Sequence, residues 1–116
     1  MSYKMALFTF QGELMCFGHA LLNALDLHSR GKEVRIIIEG KSTGLLPDLY
    51  RSGTPFQREF ERCLEAGLVA AVCRACSMKT GVLDFVKEKG LPLGEEMSGH
   101  PAIAPWLEAG FQILNY

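Results

Sequence analysis

Leu68-Val69-Ala70-Ala71-Val72-Cys73, running straight into Arg74-Ala75-Cys76-Ser77, is the stretch that decides the fold. An unbroken apolar run with no polar alternation describes a strand covered on both faces, the habit of a parallel sheet's interior. This is the strand expected to be the most buried. Parallel neighbours need crossover helices, and the flanking sequence supplies them. Upstream, residues 5–10 and 34–39 read as strands, the second carrying Ile36-Ile37-Ile38. Residues 14–28 between them read as a helix that is apolar almost all round, which predicts cover on more than one side and hints at a subunit interface. Gly31 stands where a C-terminal cap belongs.

Residues 40–45 read as a loop leading into a short helix that ends near Tyr50. Thr54-Pro55-Phe56-Gln57 carries the marks of a helix start, with Thr54 as N-cap, Pro55 at the first position and Gln57 closing a capping box. Phe56, Phe60, Cys63 and Leu64 form that helix's apolar stripe. Downstream, a helix is expected from 76 or 77 to 89, then a short strand at 91–93. A turn at Ser98-Gly99-His100-Pro101 precedes a last helix with Ile103, Trp106 and Leu107, and 111–116 is a closing strand. The alternation predicts an α/β domain: a three-layer α/β/α sandwich with a mostly parallel sheet of about five strands.

The 116 residues suit one domain spanning 1–116, large enough to bury roughly two-thirds of its unfolded surface. Hydrophobic residues make up 48% and charged residues 22%, a folding composition. The net charge of -1 provides no basic surplus for phosphates, so nucleic-acid partners are not expected. No apolar run approaches the ~20 residues of a membrane span, and residues 1–10 lack the cleavage site of a secretory leader. Cys16, Cys63, Cys73 and Cys76 sit in a chain that is not loop-rich, which favours reduced thiols and a cytoplasmic setting.

Ligands of open parallel sheets gather beyond the carboxyl ends of the strands. Three segments are expected to meet there: Gln11-Gly12-Glu13, Cys73 to Ser77, and Ser98-Gly99-His100. Cys63 reads as a buried small hydrophobe and Cys16 as core or interface. Cys73 closes the apolar strand. Cys76 falls beside a helix N-terminus, where backbone N–H groups and nearby cations, here Arg74 and Lys79, activate thiols as nucleophiles or sulfur carriers. His100 is its candidate companion. Ser77, Gln11, Gly12, Ser98 and the amide of Gly99 are candidate anion or ligand contacts. A zinc site is not expected, because no second close pair of ligands accompanies the C-x-x-C and the histidines are scattered along the chain. No cofactor is implied. Gly40-Lys41-Ser42-Thr43 echoes the end of a phosphate loop, but Arg35 stands where that motif needs its first glycine. Lys41, Glu13, Glu95 and Glu96 read as solvated.

Val72-Cys73-Arg74-Ala75-Cys76-Ser77, Gly81, Met97-Ser98-Gly99-His100-Pro101 and Trp106-Leu107-Glu108-Ala109-Gly110-Phe111 together resemble the DsrE/DsrF-like family, in its small stand-alone branch. The resemblance covers nearly the whole chain. It implies a homo-oligomer, trimer or hexamer, and a sulfur-relay role. A cysteine near the helix after a central strand takes up sulfane sulfur as a persulfide and passes it from donor to acceptor proteins. By motif position that role falls on Cys76, and less directly on Cys73. The C-x-x-C pair itself departs from the family's sulfur carriers, which do not need it. Two other functions stay open: a non-enzymatic oligomeric module binding a small molecule or anion, and a C-x-x-C thiol redox switch.

Overall fold

A computed structural model describes residues 3–116; Met1 and Ser2, which open the segment tested for a leader, lie outside the described residues. Among the described residues there are five strands, β1 (Lys4–Thr9), β2 (Glu33–Ile38), β3 (Val69–Cys73), β4 (Leu93–Gly94) and β5 (Phe111–Asn115). They form one all-parallel sheet in the order β4-β3-β2-β1-β5. Helices lie on both sides, so the α/β sandwich is as expected.

The chain moves in one direction from β1 to β4 through crossovers that pack on one face. That face is built by α1 (Leu14–Ser29), α2 (Leu46–Leu49), α3 (Gln57–Glu65) and α5 (Leu83–Glu88). Phe17, Leu21, Phe60, Cys63 and Val86 from these helices meet Leu7, Ile36, Ile38 and Val72 of the sheet. The chain then crosses back to β5 over the opposite face through one short helix, α6 (Ala104–Glu108). Its Trp106 stands edge-on to Phe111 at 5.0 Å, over Ala6, Phe8 and Ile37.

Burial corrects the ranking of the strands. β1 and β2 are the deepest, with Ala6, Leu7, Phe8, Ile36, Ile37 and Ile38 wholly covered, whereas Ala70 and Ala71 of β3 are half-covered. The cause is β4: with only two residues it flanks just the end of β3, at Val72 and Cys73. α1 buries Phe17, Gly18, Ala20, Leu21 and Ala24, and leaves Met15 (66% exposed), Cys16 and Leu22 open.

Three local expectations are corrected. Residues 40–45 are a 3-10 helix leading directly into α2. The capping box at Thr54 does not form: α3 begins at Gln57, behind Phe56 in the left-handed conformation (φ 69), and the Gln57 amide group donates to Glu61 instead. Tertiary packing overrides the local signal here, because the Phe56 ring fills the notch left by Gly18, where a Cβ would lie 2.4 Å from a ring carbon. The long helix expected to reach 89 is two helices, α4 (Arg74–Thr80) and α5. Gly81, in the left-handed conformation, ends the first.

Candidate functional site

β3 turns into α4 without a loop. Cys73 is therefore the N-cap, with extended backbone (φ -61, ψ 121), and its Sγ accepts the N–H of Cys76 at 3.2 Å. The sulfur does what a serine or aspartate oxygen commonly does at this place. Cys73 closes β3 and Cys76 lies in the first turn of α4, as expected, but the Cys76 amide goes to the Cys73 sulfur. Ser77 follows on the inward side, wholly buried, with its hydroxyl donating to the Cys73 carbonyl at 2.7 Å. It anchors the turn and is shielded from a ligand.

His100 comes from the other side of β4. Met97-Ser98-Gly99-His100 is a tight hairpin in which Met97 and His100 exchange both backbone hydrogen bonds, at 2.8 and 2.9 Å. Its two central residues have positive φ, 52° at Ser98 and 91° at Gly99, the pattern that favours glycine. The Gly99 carbonyl accepts the Ala75 amide at 2.8 Å, which ties the hairpin to the first turn of α4. The Gly99 amide donates to the Glu95 carbonyl at 3.0 Å, so the expected anion donor is already engaged. Glu96 is not simply solvated: its carboxylate accepts the amides of Ala102 and Glu95, and these bonds hold it below the usual carboxylate range.

This bracing brings Nδ1 of His100 to 3.2 Å from Cys73 Sγ and 3.7 Å from Cys76 Sγ. The donor atoms of all three residues lie within 4.8 Å of one another. The two thiols differ sharply. Cys73 is wholly buried, and burial pushes its thiol up to about 12; the adjacent Cys76 adds to this and the Cys76 amide opposes it. Cys76 is half-buried and lines a cavity of about 290 Å³ together with Phe10, Gly40, Lys41, Lys79 and Thr80. Glu39, half-buried just beyond β2, is held above the usual carboxylate range by burial, against the pull of the His100 charge. His100 thus stands against both sulfurs, and Glu39 acts on it through charge alone.

Other expected contacts lie elsewhere. The N–H groups of Phe10 and Gln11 both donate to the Tyr116 carbonyl, at 2.8 and 3.3 Å, and Gly12 lies against the Lys41 stem. From that loop it is Phe10 that reaches the cavity. The Arg74 guanidinium points to Glu95 (4.0 Å) and the Met78 sulfur (3.7 Å). Ser98 is exposed at the hairpin tip.

Glu39 was not marked from the sequence and Lys41 was read as solvated, although the strand-end rule applied to β2 as well as β1 and β3 finds both. The echo of a phosphate loop around Lys41 proves structural. The Ser42 hydroxyl turns inward to the Glu39 carbonyl (2.6 Å). Thr43 Oγ1 meets Thr80 Oγ1 at 2.8 Å, which fastens this segment to α4.

No protein-family model matches the chain. An uncharacterized protein of Methanocaldococcus jannaschii is 32% identical over 97 residues, covering 84% of this chain and 77% of that protein. An uncharacterized protein of Archaeoglobus fulgidus is 38% identical over 61 residues, covering 53% of this chain and 98% of the other. A solved structure, a conserved protein of unknown function from Bacteroides thetaiotaomicron, superimposes with a TM-score of 0.62 over 96% of this chain and 94% of its own, at 22% identity. That likeness concerns the fold alone.

Proposed function

The chain belongs to the family of the Methanocaldococcus jannaschii protein, and from that footing we propose that it is a sulfur-relay protein of the DsrE/DsrF-like kind, carrying sulfane sulfur on Cys76. The observation that supports this most is the asymmetry of the pair. One sulfur is sealed in and hard to ionise, while the other borders a cavity, with an imidazole nitrogen 3.7 Å away. The Cys76 sulfur attacks the outer sulfur of a persulfide donor R–S–SH. A new S–S bond forms on Cys76, the donor's S–S bond breaks and R–SH leaves. The proton from Cys76 passes by His100 to the departing thiolate, and no net oxidation occurs. Lys41 and Lys79 border the same cavity with their stems, and its apolar lining suits the hydrocarbon part of a small donor.

The test is mass spectrometry after exposure to a small persulfide donor. The protein is expected to gain one sulfur, located at Cys76. Cys76→Ser abolishes the gain, and Cys16→Ser leaves it intact. A protein whose Cys76 is alkylated readily yet never gains sulfur overturns the proposal. If Cys73 and Cys76 instead join as a disulfide under mild oxidant and no persulfide forms, the redox-switch function replaces it.

A further inference from the structure

The geometry points to a second use of the same residues: Cys73, Cys76 and His100 form a three-ligand site for a thiophilic, tetrahedral divalent cation, of which zinc is the fitting example. The sequence argues against zinc because the C-x-x-C has no second close pair. The fold supplies the third ligand from the hairpin beyond β4, 24 residues after Cys76.

The spacing fits. With Zn–S near 2.3 Å and Zn–N near 2.05 Å, a tetrahedral ion holds sulfur and nitrogen about 3.6 Å apart and two sulfurs about 3.8 Å apart. Here the two S···N separations are 3.2 and 3.7 Å, and no pair of the three donor atoms exceeds 4.8 Å. Side-chain rotation that moves a donor atom by at most about an ångström brings them onto one ion. The donor set, two thiolates and an imidazole, selects a soft or borderline cation over magnesium or calcium. Both supports are fastened to α4: the Ser77 hydroxyl donates to the Cys73 carbonyl, and the hairpin's Gly99 carbonyl accepts the Ala75 amide.

On binding, two S–H bonds are replaced by two S–Zn bonds and two protons leave to solvent, with no change of oxidation state. Three protein ligands leave one position of the tetrahedron for water or for a ligand entering from the cavity that Cys76 borders. Because the metal occupies both sulfurs, a zinc-loaded chain cannot take up sulfur at Cys76, so the cation would hold the carrier closed.

The test uses the full chain, reduced and stripped with a chelator, and titrated with Co2+ as the spectroscopic probe. One equivalent is expected to produce thiolate-to-cobalt charge transfer in the near ultraviolet and the intense visible bands of a tetrahedral ion; Zn2+ then displaces them. Cys76→Ser and His100→Ala are each expected to weaken Zn2+ by more than the roughly 10–100-fold typical of losing a residue behind a ligand. Cys16→Ser changes nothing. Circular dichroism of each variant separates lost ligation from lost folding. Weak octahedral bands without charge transfer, or Zn2+ affinity unchanged in folded His100→Ala, overturns the site. Sulfur uptake by the stripped protein is scored separately, so either conclusion can fail while the other stands.

Discussion

At the residue scale, the two buried thiols make an opposite contribution to what their neighbour does. Cys63, wholly covered on the inner side of α3, is pushed up to about 12 by burial, and Cys73 stands at about the same value. Both are neutral in the folded chain until far above neutrality, whereas in the unfolded chain they ionise from about pH 9. A raised value gives stability that is whole below the unfolded value and is lost as pH climbs to the folded one. Stability is therefore expected to fall between about pH 9 and about 12, each thiol adding up to about 1.4 kcal/mol per pH unit. Denaturant melts across that range check it. Cys63→Ala is expected to flatten the slope by one proton's worth, and an unchanged slope counts against the assignment. The sequence already showed Cys63 as a stripe residue and named His100 as the partner of Cys76. It could not show that Cys73 would take the capping amide, because that depends on β3 entering α4 with no intervening residue. Nor did it mark Glu39, whose closeness to His100 exists only through pairing of strands distant in sequence.

Elements show where local signals lose to packing. Thr54-Pro55 is a sound helix start by its own chemistry, yet Phe56 abandons it to seat its ring on Gly18 of α1, accepting a left-handed backbone. Such conformations cost a side chain of this size of order 1–3 kcal/mol. Gly18→Ala is expected to destabilise the fold by about 1–3 kcal/mol through overpacking. In the Phe56→Ala background the same change is expected to stabilise, by up to about 1 kcal/mol, because alanine is then simply the better helix residue. A double-mutant cycle by urea melts measures this, and equal effects in both backgrounds remove the notch explanation. Gly81 illustrates the reverse case. Its role as a helix break was hidden by the apolar spacing of Met78, Val82, Phe85 and Val86, which continues unbroken across it. By contrast, a turn at Ser98-Gly99-His100-Pro101 was legible from its glycine and proline, although a serine gives no sign of the positive φ that Ser98 adopts.

Across the whole molecule, the sheet's order explains which expected contacts fail to meet. The order reverses between β1 and β5, the place where ligands of open sheets usually lodge. There the Tyr116 carbonyl takes the amides of Phe10 and Gln11. The thiols gather two strands away, at the end of β3, so Gln11 and Gly12 do not join them. Strand alternation made the parallel sheet readable from sequence, while the order of strands depends on which crossover reverses, and composition carries no trace of that. The resemblance implies a homo-oligomer, and the exposed apolar side chains Met15 and Leu22 on α1 are where such an interface would be sought. Light scattering is expected to give a trimer or hexamer, and Leu22→Glu to lower that mass; a monomer at all concentrations excludes it.

The two-residue length of β4 has a last consequence. Cys73 and His100 are joined through an edge strand with few hydrogen bonds of its own, so this margin belongs to the part of a sheet that opens earliest. Hydrogen exchange is therefore expected to be faster at Val72 and Cys73 than at Ile36 to Ile38 of β2, and equal protection excludes this. An opening confined to this edge would part the imidazole from both sulfurs while β1 and β2 stay paired.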